Sequence, residues 1–245
     1  MPLYRQFPSV AVRWYSSGNG VGSSISRLVK GRVGLSGFTT RPTKFVKRRM
    51  ADTNIVWVDC EMTGLDPFRD QIIEICCMIT DKDLNLVDEE GYEKVIHKSK
   101  EVLDNMNEWS IEHHGKSGLT DKVLHSTNTL QEVEDGLLEY IKRYIPEKRT
   151  AVLAGNSIHQ DRLFLVREFP KLIDHLHYRQ IDVSSFKEIL RRHHPSMVEE
   201  IPRKTASHTA KSDILESIAE MRWYRDNYLV GPGEIKAKAT DKVKS

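Results

Sequence analysis

Asp59 and Glu61 stand one residue apart in IVWVDCEMTG, residues 55–64. On a β-strand, residues i and i+2 project to the same face. Ile55 to Val58 read as a central strand, so the two carboxylates converge at its C-terminal end. Carboxylates that close repel, and burial raises the cost of their charge. A bound cation removes both costs, and hard oxygen donors suit Mg²⁺ or Mn²⁺. The spacing by itself is weak, because Asp88-Glu89-Glu90 repeats it in a polar stretch that reads as solvated surface.

A cation centre of this kind needs further acids. Asp161 follows a Gly155-Asn156-Ser157 turn, and Asp213 stands five residues after His208. Taken singly, each reads as a helix-N-terminal acid complementing the macrodipole. Taken with Asp59 and Glu61, they make four carboxylates, the charge of two divalent ions. Two metals about 3.5–4 Å apart stabilise the attacking and leaving oxygens of phosphoryl transfer. His208 is suited to take a proton from the attacking water near neutral pH.

The elements that must position these groups follow from periodicity. Residues 55–60, 71–80 and a segment within 84–97 read as three successive strands joined by short loops, an antiparallel meander. Leu130, Val133, Leu137, Ile141 and Ile145 recur at helical spacing. Residues 151–154 read as a strand, 158–169 as a helix, 181–183 as a brief strand and 184–193 as another helix. The last helix spans about 209–228, with Ser207 as its expected N-cap. The sum is an α/β mixed sheet flanked by helices.

The stretches VDCEMTGLD, GNSIHQDR, HYRQIDVSSFKE and SHTAKSDILESIAE, in this order and spacing, resemble the oligoribonuclease family of DEDDh 3′→5′ exonucleases. The resemblance covers roughly residues 54–229, and EMTGLDP and NEWSIEHHGKSGL set it apart from general proofreading exonucleases. It implies a ribonuclease H-like fold and hydrolysis of short oligoribonucleotides, down to dinucleotides, to 5′-mononucleotides. Asp59, Glu61, Asp161 and Asp213 would hold two Mg²⁺ or Mn²⁺ ions, Asp59 bridging both, and His208 would be the general base. Leu65 would wedge between bases and Trp109 would stack on one. Tyr178 of a second subunit would stack on another. Ser157 and His114, with Arg179 and Ser184 from the partner, would hold the 5′ phosphate, which implies a homodimer. Without the resemblance, Trp109 reads as a core aromatic and Tyr178-Arg179 as a surface pair. Lys211 stands where the family pattern has an apolar residue, and Ser212 where an acid is frequent. Trimming of longer RNA, DNA proofreading and a catalytically silent RNA-binding role are the competing readings.

Charge divides the chain. Residues 1–50 hold ten basic and no acidic residues with ten Ser or Thr. That is the composition of a mitochondrial transit peptide, a basic nucleic-acid-binding arm being the alternative. The matrix is the expected compartment, with a further cytosolic or nuclear pool left open. Residues 51–230 form the expected catalytic domain and carry 23 basic and 33 acidic residues, net −10. Long nucleic acid is usually held by many Lys and Arg contacts to phosphate, whereas stacking can hold short oligomers. Residues 231–245 form a polar, Lys-rich tail. No run approaches the ~18 apolar residues of a membrane helix. Cys60, Cys76 and Cys77 sit in apolar runs and read as reduced core residues. The paired histidines at 113–114 and 193–194 lack HExxH or a cysteine at zinc spacing, so structural zinc is not expected. GNGVG at 18–22 lacks the third glycine and preceding strand of a dinucleotide fingerprint, and Ser157 lacks a nucleophile elbow.

Overall fold

β1 (Ile55–Met62) is the strand on which everything else is registered. In the computed structural model, which describes residues 54–202 and 209–229, it lies at the centre of a five-stranded sheet of order β3-β2-β1-β4-β5. β2 (Ile72–Thr80) pairs antiparallel with β1, and β3 (Tyr92–Val95) antiparallel with β2. This is the expected meander. β4 (Val152–Gly155) and β5 (Gln180–Asp182) add in parallel on the other side. The leader, the tail, Ser207 and His208 lie outside the described residues.

Alternation along β1 divides the core. Val56, Val58 and Cys60 face one side, against α4 (Leu130–Tyr144), α5 (Ile158–Glu168) and α6 (Pro170–His175), with Leu137, Ile141, Phe164 and Leu165 in that cluster. Trp57 faces the other side, against α7 (Val183–His193) and α8 (Ala210–Asn227), with Ile214, Ile218 and Tyr224. All nine residues of β2 are buried. That explains its unbroken apolar run, since a strand covered on both faces need not alternate.

Three short helices, α1 (Lys100–Asp104), α2 (Glu108–Lys116) and α3 (Leu119–His125), follow β3. Leu103 of α1, Met106 between α1 and α2, and Leu119 and Val123 of α3 cover Ile73. A 3₁₀ turn, Pro195–Glu200, follows α7.

α8 is capped by Thr209, not by Ser207. The Thr209 side chain accepts from Ser212 N–H, and the Ser212 side chain returns the bond to the Thr209 backbone. Ser212 therefore serves as the reciprocal partner that Glu or Gln ordinarily supplies in a capping box. Lys211 donates to the backbone carbonyls of Glu89 and Glu90 at 3.0 and 2.9 Å. It ties the start of α8 to the β2–β3 connection, a role that an apolar residue there could not perform. No helix among the described residues is long and apolar enough to cross a membrane.

Candidate active site

Strand parity decides which acids meet. Asp59 and Glu61 share the Trp57 face of β1, the face that α8 covers, and Asp213 lies in the first turn of α8. Carboxylate oxygens of Asp59, Glu61 and Asp213 all lie within 4.8 Å of one another. Asp161 arrives from the opposite layer. It sits in the first turn of α5, and its Oδ1 accepts from the Cys60 N–H at 3.0 Å, between the two β1 acids. Gly155 permits this approach: a Cβ there would lie 2.9 Å from the Val58 carbonyl oxygen.

The register adds a fifth acid that the sequence did not flag. Glu74 on β2 stands directly opposite Glu61, where the β1–β2 pairing is interrupted by an irregularity between Glu61 and Met62. Like charges directly opposite on neighbouring strands are destabilising. Burial, then Glu74, Asp213 and Asp161, push the Glu61 carboxyl up to about 7. Burial likewise raises Asp161 to about 7, against the hydrogen bonds from the Cys60 and Asp161 N–H groups. Glu74 itself is raised by burial and by Glu93. An all-oxygen set whose members resist ionising together is the donor chemistry that a hard divalent cation satisfies.

A cavity of about 300 Å³ opens beside these acids, lined among others by Glu61, Met62, Leu65, Asn107, Trp109 and His114. Leu65 is 71% and Trp109 67% exposed. The core reading of Trp109 thus gives way to an open aromatic face, with its ring stacked on His113 at 4.6 Å and 9°. The loop carrying Leu65 is held from several sides. Gln160 donates to the Leu65 carbonyl at 2.8 Å, Arg167 donates to the carbonyls of Pro67 and Asp70, and Thr63 donates to Asp70 at 3.0 Å. Gly64 has no room for a Cβ, which would lie 2.4 Å from Asp70 Oδ2. A fixed loop presents an exposed leucine in a defined place.

Ser157 and Ser184 form a second group. Ser157 adopts a left-handed backbone, φ 53°, and its N–H donates to Asp182 Oδ1 at 3.0 Å. Such strain in a non-glycine residue persists where the surroundings over-determine it. Ser157 Oγ lies 3.4 Å from Ser184 Oγ, and Ser184 donates to Asp182 at 2.6 Å. One chain thus brings Ser157 and Ser184 together without a partner. His159 Nδ1 lies 3.0 Å from Asp182 Oδ2. Asp182 and His159, absent from the sequence reading, organise this hydroxyl pair. Tyr178 is exposed, with the Arg179 guanidinium 5.4 Å from its ring centre. The resemblance groups His114 with Ser157, but the structure seats its buried ring in the Leu65–Trp109 pocket, with Nε2 on the Met62 carbonyl at 2.9 Å. Burial lowers its pKa.

The exonuclease family model matches residues 56–221. The mitochondrial oligoribonuclease of Saccharomyces cerevisiae is 61% identical over 189 residues, covering 75% of this chain and 70% of that one. The mitochondrial oligoribonuclease of Homo sapiens is 46% identical over 213 residues, covering 86% and 89%. Among solved structures, exonuclease I of Methylocaldum szegediense superposes with a TM-score of 0.56 at 16% identity, over 72% of this chain and 41% of that one. That likeness extends the ribonuclease H-like description to the sheet and its flanking helices. With the acids on β1, α5 and α8 and a family match spanning all three, the chain belongs to the oligoribonuclease family of exonucleases.

Proposed function

We propose that the protein removes nucleotides one at a time from the 3′ end of short oligoribonucleotides, down to dinucleotides, releasing 5′-mononucleotides. The observation that carries this reading is the convergence of Asp59, Glu61 and Asp213 within 4.8 Å beside a cavity flanked by exposed Leu65 and Trp109. The cavity's ~300 Å³ is at the small end of ligand clefts, which suits a chain terminus. Asp59, Glu61, Asp161 and Asp213 would hold two divalent cations, Mg²⁺ or Mn²⁺. When bound, such ions supply the positive charge that the phosphodiester needs as it is attacked.

The protein's own groups do the rest. Cys60 N–H fixes the Asp161 carboxylate, and the anchored loop holds Leu65 against the terminal base. Trp109 offers its face for stacking, at roughly 1–3 kcal/mol per base. His208, five residues before Asp213, takes the proton from the attacking water. Ser157 donates to the 5′ phosphate, together with Arg179, while Asp182 holds Ser184 beside it. A homodimer would present Tyr178 and Arg179 across the subunit boundary, making the stack composite. The acid-free leader and the mitochondrial names of the yeast and human relatives support residence in the mitochondrial matrix. A reporter fused to residues 1–50 should enter mitochondria; a reporter that stays wholly cytosolic would refute this placement.

The deciding experiment is product analysis on end-labelled RNAs of two to twenty nucleotides, with and without Mg²⁺. Stepwise release of 5′-mononucleotides that requires Mg²⁺ is expected. Faster cutting of long DNA than of short RNA would overturn the substrate assignment.

A further inference from the structure

Glu61 faces a second set of donors besides the carboxylates. One of its oxygens and one ring nitrogen each from His113 and His114 lie within 4.8 Å of one another. His114 is 1% exposed, and its Nε2 lies 2.9 Å from the Met62 carbonyl oxygen. A carbonyl only accepts, so Nε2 carries the ring hydrogen and Nδ1 of the neutral ring presents a lone pair. That Nδ1 is buried without a hydrogen-bond partner among the described residues and lies 4.0 Å from Glu61 Oε2. A lone pair and a carboxylate oxygen facing each other at this distance repel. Zinc–nitrogen and zinc–oxygen bonds are about 2.0–2.2 Å, so a cation between them reaches both with small adjustment. The carbonyl bond on the far ring nitrogen is the outer partner that metal-ligating histidines ordinarily have. The stack on Trp109 fixes the plane of the His113 ring.

We propose that Glu61, His113 and His114 form a second site, sharing Glu61 with the carboxylate centre, for a borderline-soft cation of the Zn²⁺ type, and that filling it draws Glu61 from that centre and slows hydrolysis. Two imidazoles and a carboxylate are a three-ligand set that Zn²⁺ takes, its fourth position open to water. Asp59, Glu61 and Asp213 are an all-oxygen set of the Mg²⁺ or Mn²⁺ kind. Local spacing rules pass over the histidine site because its third ligand comes from β1, 52 residues before His113. The slowing of hydrolysis rests on Glu61 serving the catalytic centre; the binding does not.

The test titrates Zn²⁺ into the full-length protein in saturating Mg²⁺, following histidine ring resonances by NMR, Zn²⁺ affinity by calorimetry and dinucleotide hydrolysis in parallel. The His113 and His114 rings should shift together with one equivalent, and hydrolysis should fall as they do. His113→Ala should weaken this binding at least about tenfold, as disturbing even an outer partner of a metal ligand can do. Asp213→Asn, which alters only the carboxylate set, should keep it. Zn²⁺ that leaves both rings unmoved, or binds only where Asp213 is intact, would overturn the site. Rings that shift while hydrolysis is unchanged would overturn its coupling to Glu61. Mg²⁺-dependent hydrolysis in the untreated protein is scored first, so failure of the nuclease reading is seen independently.

Discussion

Glu61 and Asp161 carry the strongest mark of the centre, because both hold their protons up to about pH 7. Ordinary carboxylates release theirs near 4. Between those values the folded chain binds protons that the unfolded chain has lost, so stability falls as pH rises through that window. A cation must displace the same protons. The increment in Tm that saturating Mg²⁺ or Mn²⁺ confers should therefore be larger at pH 8 than at pH 5; equal increments would show that these acids are not its ligands. Asp213→Ala should remove several kcal/mol of transition-state charge stabilisation, about a thousandfold in kcat. Without cation, the same change should raise Tm at pH 8, since it relieves repulsion on Glu61. Trp109→Ala should act differently: losing a stack of roughly 1–3 kcal/mol raises KM about five- to 150-fold. A loss confined to kcat would contradict stacking.

At the scale of elements, α8 links stability to the proposed centre, since it covers the Trp57 face and carries Asp213. Thr209→Ala removes its capping box and should cost about 1 kcal/mol of stability, read by urea denaturation, with cation affinity falling as the first turn frays. A purely global loss with unchanged cation affinity would separate the cap from the site. Asp59 and Glu61 were legible as a convergent pair because strand parity is a property of local sequence. So were β2, α4, α5 and α8, each with a clear apolar pattern. The cap was misread at Ser207 because Ser212, in place of Glu or Gln, hides the usual capping signature. α1 to α3 are not legible because each is short, and the apolar residues of α1 and α3 are buried on Ile73, a residue of another element. The placement of Asp161 on Cys60 and of Glu74 opposite Glu61 depends on register across the fold, which no local window contains. The family resemblance, not periodicity, brought Leu65 and Tyr178 into view.

The whole molecule is divided by charge, and residues 51–230 are net −10. A body so acidic draws little help from the phosphates of a long strand. Dinucleotides should be cut faster than 20-mers at equal concentration, and raising salt should weaken KM far less than for a protein making many phosphate contacts; the reverse order of lengths would refute the short-substrate reading. The bond from Cys60 N–H to Asp161 spans 101 residues of chain, and Asp213 lies further still along it. Contacts of such separation carry a loop-closure cost that only the assembled fold offsets. Hydrolysis and global secondary structure should thus be lost at the same urea concentration, with no active fragment outlasting the fold. An unfolded copy of this chain has its acids scattered along the sequence and cannot assemble the centre. Its chemistry is withheld until folding is complete, so nascent copies need no separate inhibitor.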